Sequence, residues 1–180
     1  MIRNGIDTEQ EAGFAQLLQT TPDAGAVSVR TSQRWHDARV VDSSADEVEV
    51  AGAVLPRSHR IRVDLPEELG GGDRGPAPGE LLLTALAACV TQQLVGLAAS
   101  QGVDLDGVEV SCEGHLDLRG AYGIDGVRPG LSEVHLRLEV RSGASQAVVD
   151  ELFASAVCTS PVADTVRGQV TVRPAVRCLV

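Results

Sequence analysis

The chain has 180 residues, 43% of them apolar, and a formal charge of −10. That length and apolar content suffice for a sizeable core and point to one principal domain, residues 26–180, preceded by an N-terminal extension over residues 1–25. The acidic balance argues against nucleic-acid and anionic-membrane partners, which need a basic footprint, and Phe14, Trp35, Tyr122 and Phe153 are too few aromatics for a base-stacking platform.

The opening MIRNGIDTEQEAGF carries acids and polar residues where an export signal would hold an apolar segment, so a cytoplasmic protein is expected. In that reducing compartment Cys89, Cys112, Cys158 and Cys178 are expected as thiols, and no C-x-x-C pair marks a zinc knuckle or thioredoxin-like site. Residues 8–20 read as a short amphipathic helix with Thr8 and Glu11 at capping-box spacing, Phe14, Leu17 and Leu18 on one face, and Pro22 beyond its end. From Val27 to Val63 the β-rich pieces VSVR, ARVV, EVEV and HRIRV, separated by turn formers, predict an antiparallel meander. The loop GGGDRGPAPG, residues 70–79, leads into a helix of about 23 residues whose first half, LLLTALAACV, is apolar nearly all round, the pattern of a helix packed on several sides. Its apolar run, interrupted by Thr91, Gln92 and Gln93, is shorter than the roughly 18 residues of a membrane span.

VEVSCEGHLDL then alternates, with Val108, Val110, Cys112, Leu116 and Leu118 on one face and Glu109, Glu113, His115 and Asp117 on the other. VHLRLEV, residues 134–140, alternates likewise, and AYGIDGVRPG between them makes a long hairpin loop. A second helix over about residues 145–158 stops at SPV, and QVTVR reads as a last strand. The order is meander, long helix, hairpin, helix, strand, which is an α+β architecture.

The succession P-x-E-L-L-L-x-A-L-A-A-C (78–89), G-V-D-L (102–105), D-L-R-G-x-x-G with V-R-P-G (117–130) and C-x-S-P-V-x-D-T-V (158–166) resembles the OsmC/Ohr family, the osmotically inducible and organic-hydroperoxide-resistance proteins. NGIDTEQ and QRWHD look like a branch of that family with an N-terminal helical extension. The resemblance implies meander and hairpin packed around a long central helix and a second helix, in an intertwined homodimer with its active sites at the subunit interface. It also implies a thiol peroxidase that reduces organic hydroperoxides at the expense of a thiol reductant, without a cofactor. Cys89 falls on the attacking cysteine of the family. Arg34 is the first candidate for the assisting arginine, with Arg60 and Arg74 behind it.

Two positions depart from the family pattern. The acid that lies ten residues before the attacking cysteine is replaced by Gly79, with Glu80 one residue late, and one residue turns a side chain by about 100° around a helix. Glu80 then reads as a first-turn acid favoured by the helix dipole. The resolving position holds Ser160, which leaves Cys158 as the nearby thiol. A hairpin centred on Asp125 would oppose His115 and His135, too few ligands for a zinc site, so no metal is expected. Two functions remain open: the cysteine peroxidase, and a non-catalytic OsmC-like protein binding an apolar small molecule at the dimer interface.

Overall fold

The computed structural model describes residues 1–168 and 170–178. The chain divides into two compact units, Met1–Thr84 and Ala85–Val180, the division falling inside the long helix.

The first unit opens with strands β1 (Ile2–Arg3) and β2 (Ile6–Asp7), paired antiparallel across an Asn4–Gly5 turn in which both φ angles are positive, 50° and 80°. Asn-Gly is the pair such two-residue hairpin turns favour. Helix α1 (Thr8–Thr20) follows at once, and its cap is Asp7: the Asp7 carboxylate accepts from the Glu9 and Gln10 amides at 3.0 and 3.4 Å. The capping box expected from Thr8 is therefore displaced by one residue, and the Thr8 hydroxyl instead donates to the Met1 carbonyl at 2.9 Å. The helix ends where expected, just before a 3-10 turn at Pro22–Gly25.

Strands β3 (Val27–Asp37), β4 (Val40–Val50), β5 (Ala53–Pro56) and β6 (Arg60–Val63) form the meander, with β4 in the middle. One side of β4 pairs with β3; along its other side Val41–Ser44 pairs with β6 and Glu47–Val50 with β5. The pieces ARVV and EVEV are thus one strand joined through the polar segment DSSAD. Side-chain hydrogen bonds hold that segment: within β4, Ser44 donates to Asp46 at 2.6 Å, and across the strands Ser32 of β3 donates to the same carboxylate at 3.2 Å.

Helix α2 (Pro78–Ser100) begins two residues before the end of the expected loop. Taken as a whole, with Thr91, Gln92 and Gln93 uncharged, the helix is long and apolar enough to cross a membrane, so the expectation that it falls short in length and composition is corrected; core helices meet the same criterion. In the second unit Leu86, Val90, Leu94 and Ala98, spaced by four, make a buried stripe against Leu152 and Ala156 of α4 (Gln146–Thr159) and Ala163 of α5 (Pro161–Arg167). Complete burial of a leucine such as Leu94, 1% exposed, contributes about 1.5–3 kcal/mol. The hairpin of β7 (Gly107–His115) and β8 (Glu133–Arg141) lays Val108, Cys112, Leu136 and Leu138 on this core and turns its charged residues outward.

Three expectations in this unit are corrected. Strand β7 stops at His115, and Leu116 and Leu118 are exposed because the chain turns into a short helix α3 (Leu118–Ala121), capped by Asp117 through the Arg119 amide at 2.9 Å. The adjoining loop comes so close that a Cβ on Gly120 would lie 2.4 Å from the Arg128 carbonyl oxygen, which is why D-L-R-G and V-R-P-G occur together. SPV starts a further helix, α5, with Pro161 in its first turn, where the missing amide costs nothing. The expected strand QVTVR is absent over 170–173, where Val170 and Val172 are 64% and 84% exposed with no strand partner among the described residues; Gln169 lies outside them.

Candidate functional site

Cys89 lies about three turns into α2, half-buried, between the buried Leu86 and Val90. One turn further, the Gln93 side chain accepts a long hydrogen bond from the Thr159 hydroxyl, 3.4 Å, which brings the end of α4 beside this part of α2. Cys158 is the neighbour of Thr159, free and exposed. The two thiols therefore sit on the two helix segments that this contact joins, and both are reduced.

Ser160, where the resemblance implies a resolving cysteine, serves as a helix cap. It is fully buried, and its hydroxyl caps α5 by accepting from the Ala163 amide at 3.2 Å. Sequence alone gave no reason for a serine at this point; the S-P-V-A pattern, with proline in the first helical turn, is the signal that identifies it as a cap. Arg167, from the last turn of α5, donates to the Val157 carbonyl at 3.2 Å and ties α5 back to α4.

The remaining thiols have other surroundings. Burial pushes the Cys112 thiol up, which suppresses the thiolate, and its side chain belongs to the core-facing side of β7. Cys178 is exposed in the C-terminal segment.

In the first unit, Glu80 folds back on the start of its own helix: its carboxylate accepts from the Ala77 amide at 2.6 Å. The sequence position leads to the expectation of a first-turn acid favoured by the helix dipole, and the structure adds this hydrogen bond to an amide just ahead of the helix. Gly79 beside it has nothing within 4 Å of where a Cβ would be. Arg34 lies on β3, exposed, opposite Asp42 of β4, and Arg60 lies on β6 opposite Ser44.

Arg74 is held firmly. Its guanidinium donates to Asp37 at 2.9 Å and to Asp64 at 3.2 Å. Asp64, with no exposed surface, also accepts from the backbone amides of Leu65, Gly72 and Arg74 at 2.9, 3.1 and 3.2 Å. Desolvation alone would push this carboxyl up, but the three amides and the guanidinium together outweigh it, so its pKa lies below the ordinary carboxylate value. The clamp folds the glycine-rich loop ahead of α2 so tightly that a Cβ on Gly71 would lie 1.8 Å from the Leu65 carbonyl oxygen. Asp64 carried no periodic or motif signal, since its partners are loop amides up to ten residues away. Next to it Trp35, Val41, Val63, Leu65 and Pro78 line a mostly apolar cavity of about 310 Å³.

The hairpin register differs from the expected one. Strands β7 and β8 pair about Ile124, so His115 faces Glu133 and His135 faces Glu113; the two imidazoles meet diagonally, ring centroids 5.8 Å apart.

Residues 70–175 match the family model described as OsmC-like protein. Solved structures of similar fold include an OsmC-like protein from Mycoplasma pneumoniae, 18% identical, with 79% of this chain and 88% of that chain covered and a TM-score of 0.60. Another is an organic hydroperoxide resistance protein OsmC from Legionella pneumophila, 22% identical, covering 78% and 90% with a TM-score of 0.56. A third, an organic hydroperoxide resistance protein from Elizabethkingia anophelis, is 20% identical and covers 78% and 89% with a TM-score of 0.56. No curated protein matches the sequence.

Proposed function

Because the chain belongs to the OsmC-like family, we propose that it defends against oxidative stress by reducing organic hydroperoxides, with Cys89 as the attacking thiol. The carrying observation is Cys89 itself: a free, half-buried cysteine within the family-matching segment, on a helix whose neighbouring positions form the core. Partial shelter suits a nucleophile that must meet a small apolar substrate, whereas the raised Cys112 does not.

In the reaction the Cys89 thiolate attacks a peroxide oxygen. A sulfur–oxygen bond forms as the oxygen–oxygen bond breaks, sulfur is oxidised to the sulfenic acid, and the alkoxide leaving group takes up a proton to become the alcohol. A reductant thiol condenses with the sulfenic acid, releasing water and forming a disulfide, and a second thiol frees Cys89 by exchange. Arg34 is the proposed partner that favours the thiolate. Arg74 is less suited, since Asp37 and Asp64 already offset its charge. Ser160 cannot resolve the sulfenic acid, so an added small thiol is the proposed reductant and Cys158 a minor route. The protein works as a cytoplasmic homodimer in this proposal.

A second reading is a non-catalytic protein that binds an apolar small molecule at a dimer interface, with Cys89 as packing. The engagement of Glu80 with its own helix start and of Ser160 as a cap favours it. Mass spectrometry after one equivalent of an organic hydroperoxide separates the two. Oxidation of Cys89 ahead of the other thiols, with turnover abolished in Cys89→Ser, supports the peroxidase; oxidation no faster than at Cys178, with turnover unchanged in the variant, leaves the binding protein.

A further inference from the structure

The outer face of the β7–β8 hairpin gathers donors that peroxide chemistry does not use. Each strand carries a glutamate and a histidine two residues apart, Glu113 and His115 on β7 and Glu133 and His135 on β8. The antiparallel register sets Glu113 opposite His135 and His115 opposite Glu133, a two-by-two block with imidazoles on one diagonal and carboxylates on the other. One ligand atom from each of His115, Glu133 and His135 lies within 4.8 Å of the other two. The carboxylates already turn toward the rings: Glu133 lies 3.3 Å from Nε2 of His135, and Glu113 lies 3.4 Å from Nε2 of His115.

We propose that His115, Glu133 and His135 bind a borderline divalent transition-metal ion, represented by zinc, with Glu113 orienting the His115 ring. Ligands around a tetrahedral zinc at about 2.0–2.1 Å stand roughly 3.4 Å apart, so the donors must close by less than about 1.5 Å. Exposed side chains, 49% for His115 and about 60% for Glu133 and His135, make that movement by small torsional changes. The backbone beneath them is fixed, because the Ser132 amide and hydroxyl both donate to the His115 carbonyl, at 2.8 and 3.1 Å, pinning the last strand pair. Two nitrogens and one oxygen suit zinc, cobalt, nickel or copper over magnesium or calcium, which prefer all-oxygen sets. Three protein ligands leave one position to water, as in open zinc sites. The net charge of −10 attracts a cation, while Arg137, next along the same face of β8, opposes it locally.

The test is titration of the reduced full-length protein with cobalt(II) and then zinc near neutral pH, followed by visible absorption and calorimetry. The expected result is one equivalent bound with ligand-field bands and no thiolate charge-transfer band, displaced by zinc. His135→Ala and Glu133→Gln should each weaken binding by at least about tenfold, Glu113→Gln by less, and His59→Ala not at all. Far-UV circular dichroism checks that these surface variants stay folded. Binding of equal strength in all variants, a thiolate band that accounts for the metal, or no binding at all would overturn the proposal.

Discussion

If the chain is the proposed peroxidase, Ser160 is where stability and redox chemistry compete for one side chain. Its hydroxyl, with no exposed surface, satisfies the Ala163 amide at the start of α5, and Ala163 itself is only 4% exposed. Ser160→Ala removes that cap and leaves a buried donor, which costs about 1 kcal/mol and at most about 2. For a domain of this size 1 kcal/mol lowers the melting temperature by roughly 2–4 °C. Ser160→Cys should lose a similar amount, because sulfur is a weak acceptor. It should also gain what the wild type lacks: after one equivalent of hydroperoxide, non-reducing peptide mapping should find Cys89 joined to the introduced thiol, and overoxidation of Cys89 in excess peroxide should fall. Two results would refute the reasoning. An unchanged melting temperature in Ser160→Ala would mean that the cap carries no weight, and a Cys89 in Ser160→Cys that overoxidises as in the wild type would mean that this position cannot resolve it.

Gly79→Glu places the acid ten residues before Cys89 in open space, so it should fold, gain up to about 1 kcal/mol of helix propensity and raise hydroperoxide turnover; a stable variant with unchanged turnover would show that an acid at this position does not assist Cys89. In the wild type the Cys89–Cys158 disulfide should be the minority product of one equivalent of peroxide, with sulfenic acid or a mixed disulfide dominating, and quantitative bridging would restore an ordinary two-cysteine cycle. The folded pKa of Asp64 is depressed below that of an ordinary aspartate, so its stabilising contribution is complete above the unfolded pKa and is lost as pH falls through the folded pKa. Urea unfolding across acid pH should therefore show a loss in the wild type that Asp64→Asn lacks; parallel curves would contradict it. Sedimentation at micromolar concentration should give a dimer, and a stable folded monomer of 18.8 kDa would end the proposed interface.

Much of the fold was legible because periodicity reports burial. The alternation of both hairpin strands and the extent of α4 are read from side chains that meet the core every second residue or every turn, whereas α2, apolar nearly all round in its first half, did not reveal that Leu86, Val90, Leu94 and Ala98 would form its buried stripe. The candidate thiol was legible for another reason, a motif spread over several elements that ends on Cys89. What escaped were contacts without a period. The Asp7 cap outcompeted Thr8 by a single position, the Asp64 clamp is made with loop amides, and Ser160 looked like a lost cysteine until its hydroxyl was seen to accept the Ala163 amide. In each case a polar side chain satisfies a backbone group, which hydrophobic patterning does not encode.

The hairpin register shows how much turns on such silent choices. Pairing about Ile124 instead of Asp125 moves the partner of His115 from His135 to Glu133, a shift of two residues. Because side chains alternate with period two, a two-residue shift leaves every core residue facing the core and every charged residue outward. Alternation therefore fits both registers equally, and the turn decides between them: α3 takes up Leu118–Ala121, and the Ser132 amide closes on the His115 carbonyl. The consequence is chemical. The carboxylate against each ring belongs to the same strand as that ring, two residues away, so those contacts are common to both registers; the observed pairing adds Glu133 directly opposite His115, which sets one carboxylate near both imidazoles as the third ligand of the proposed site.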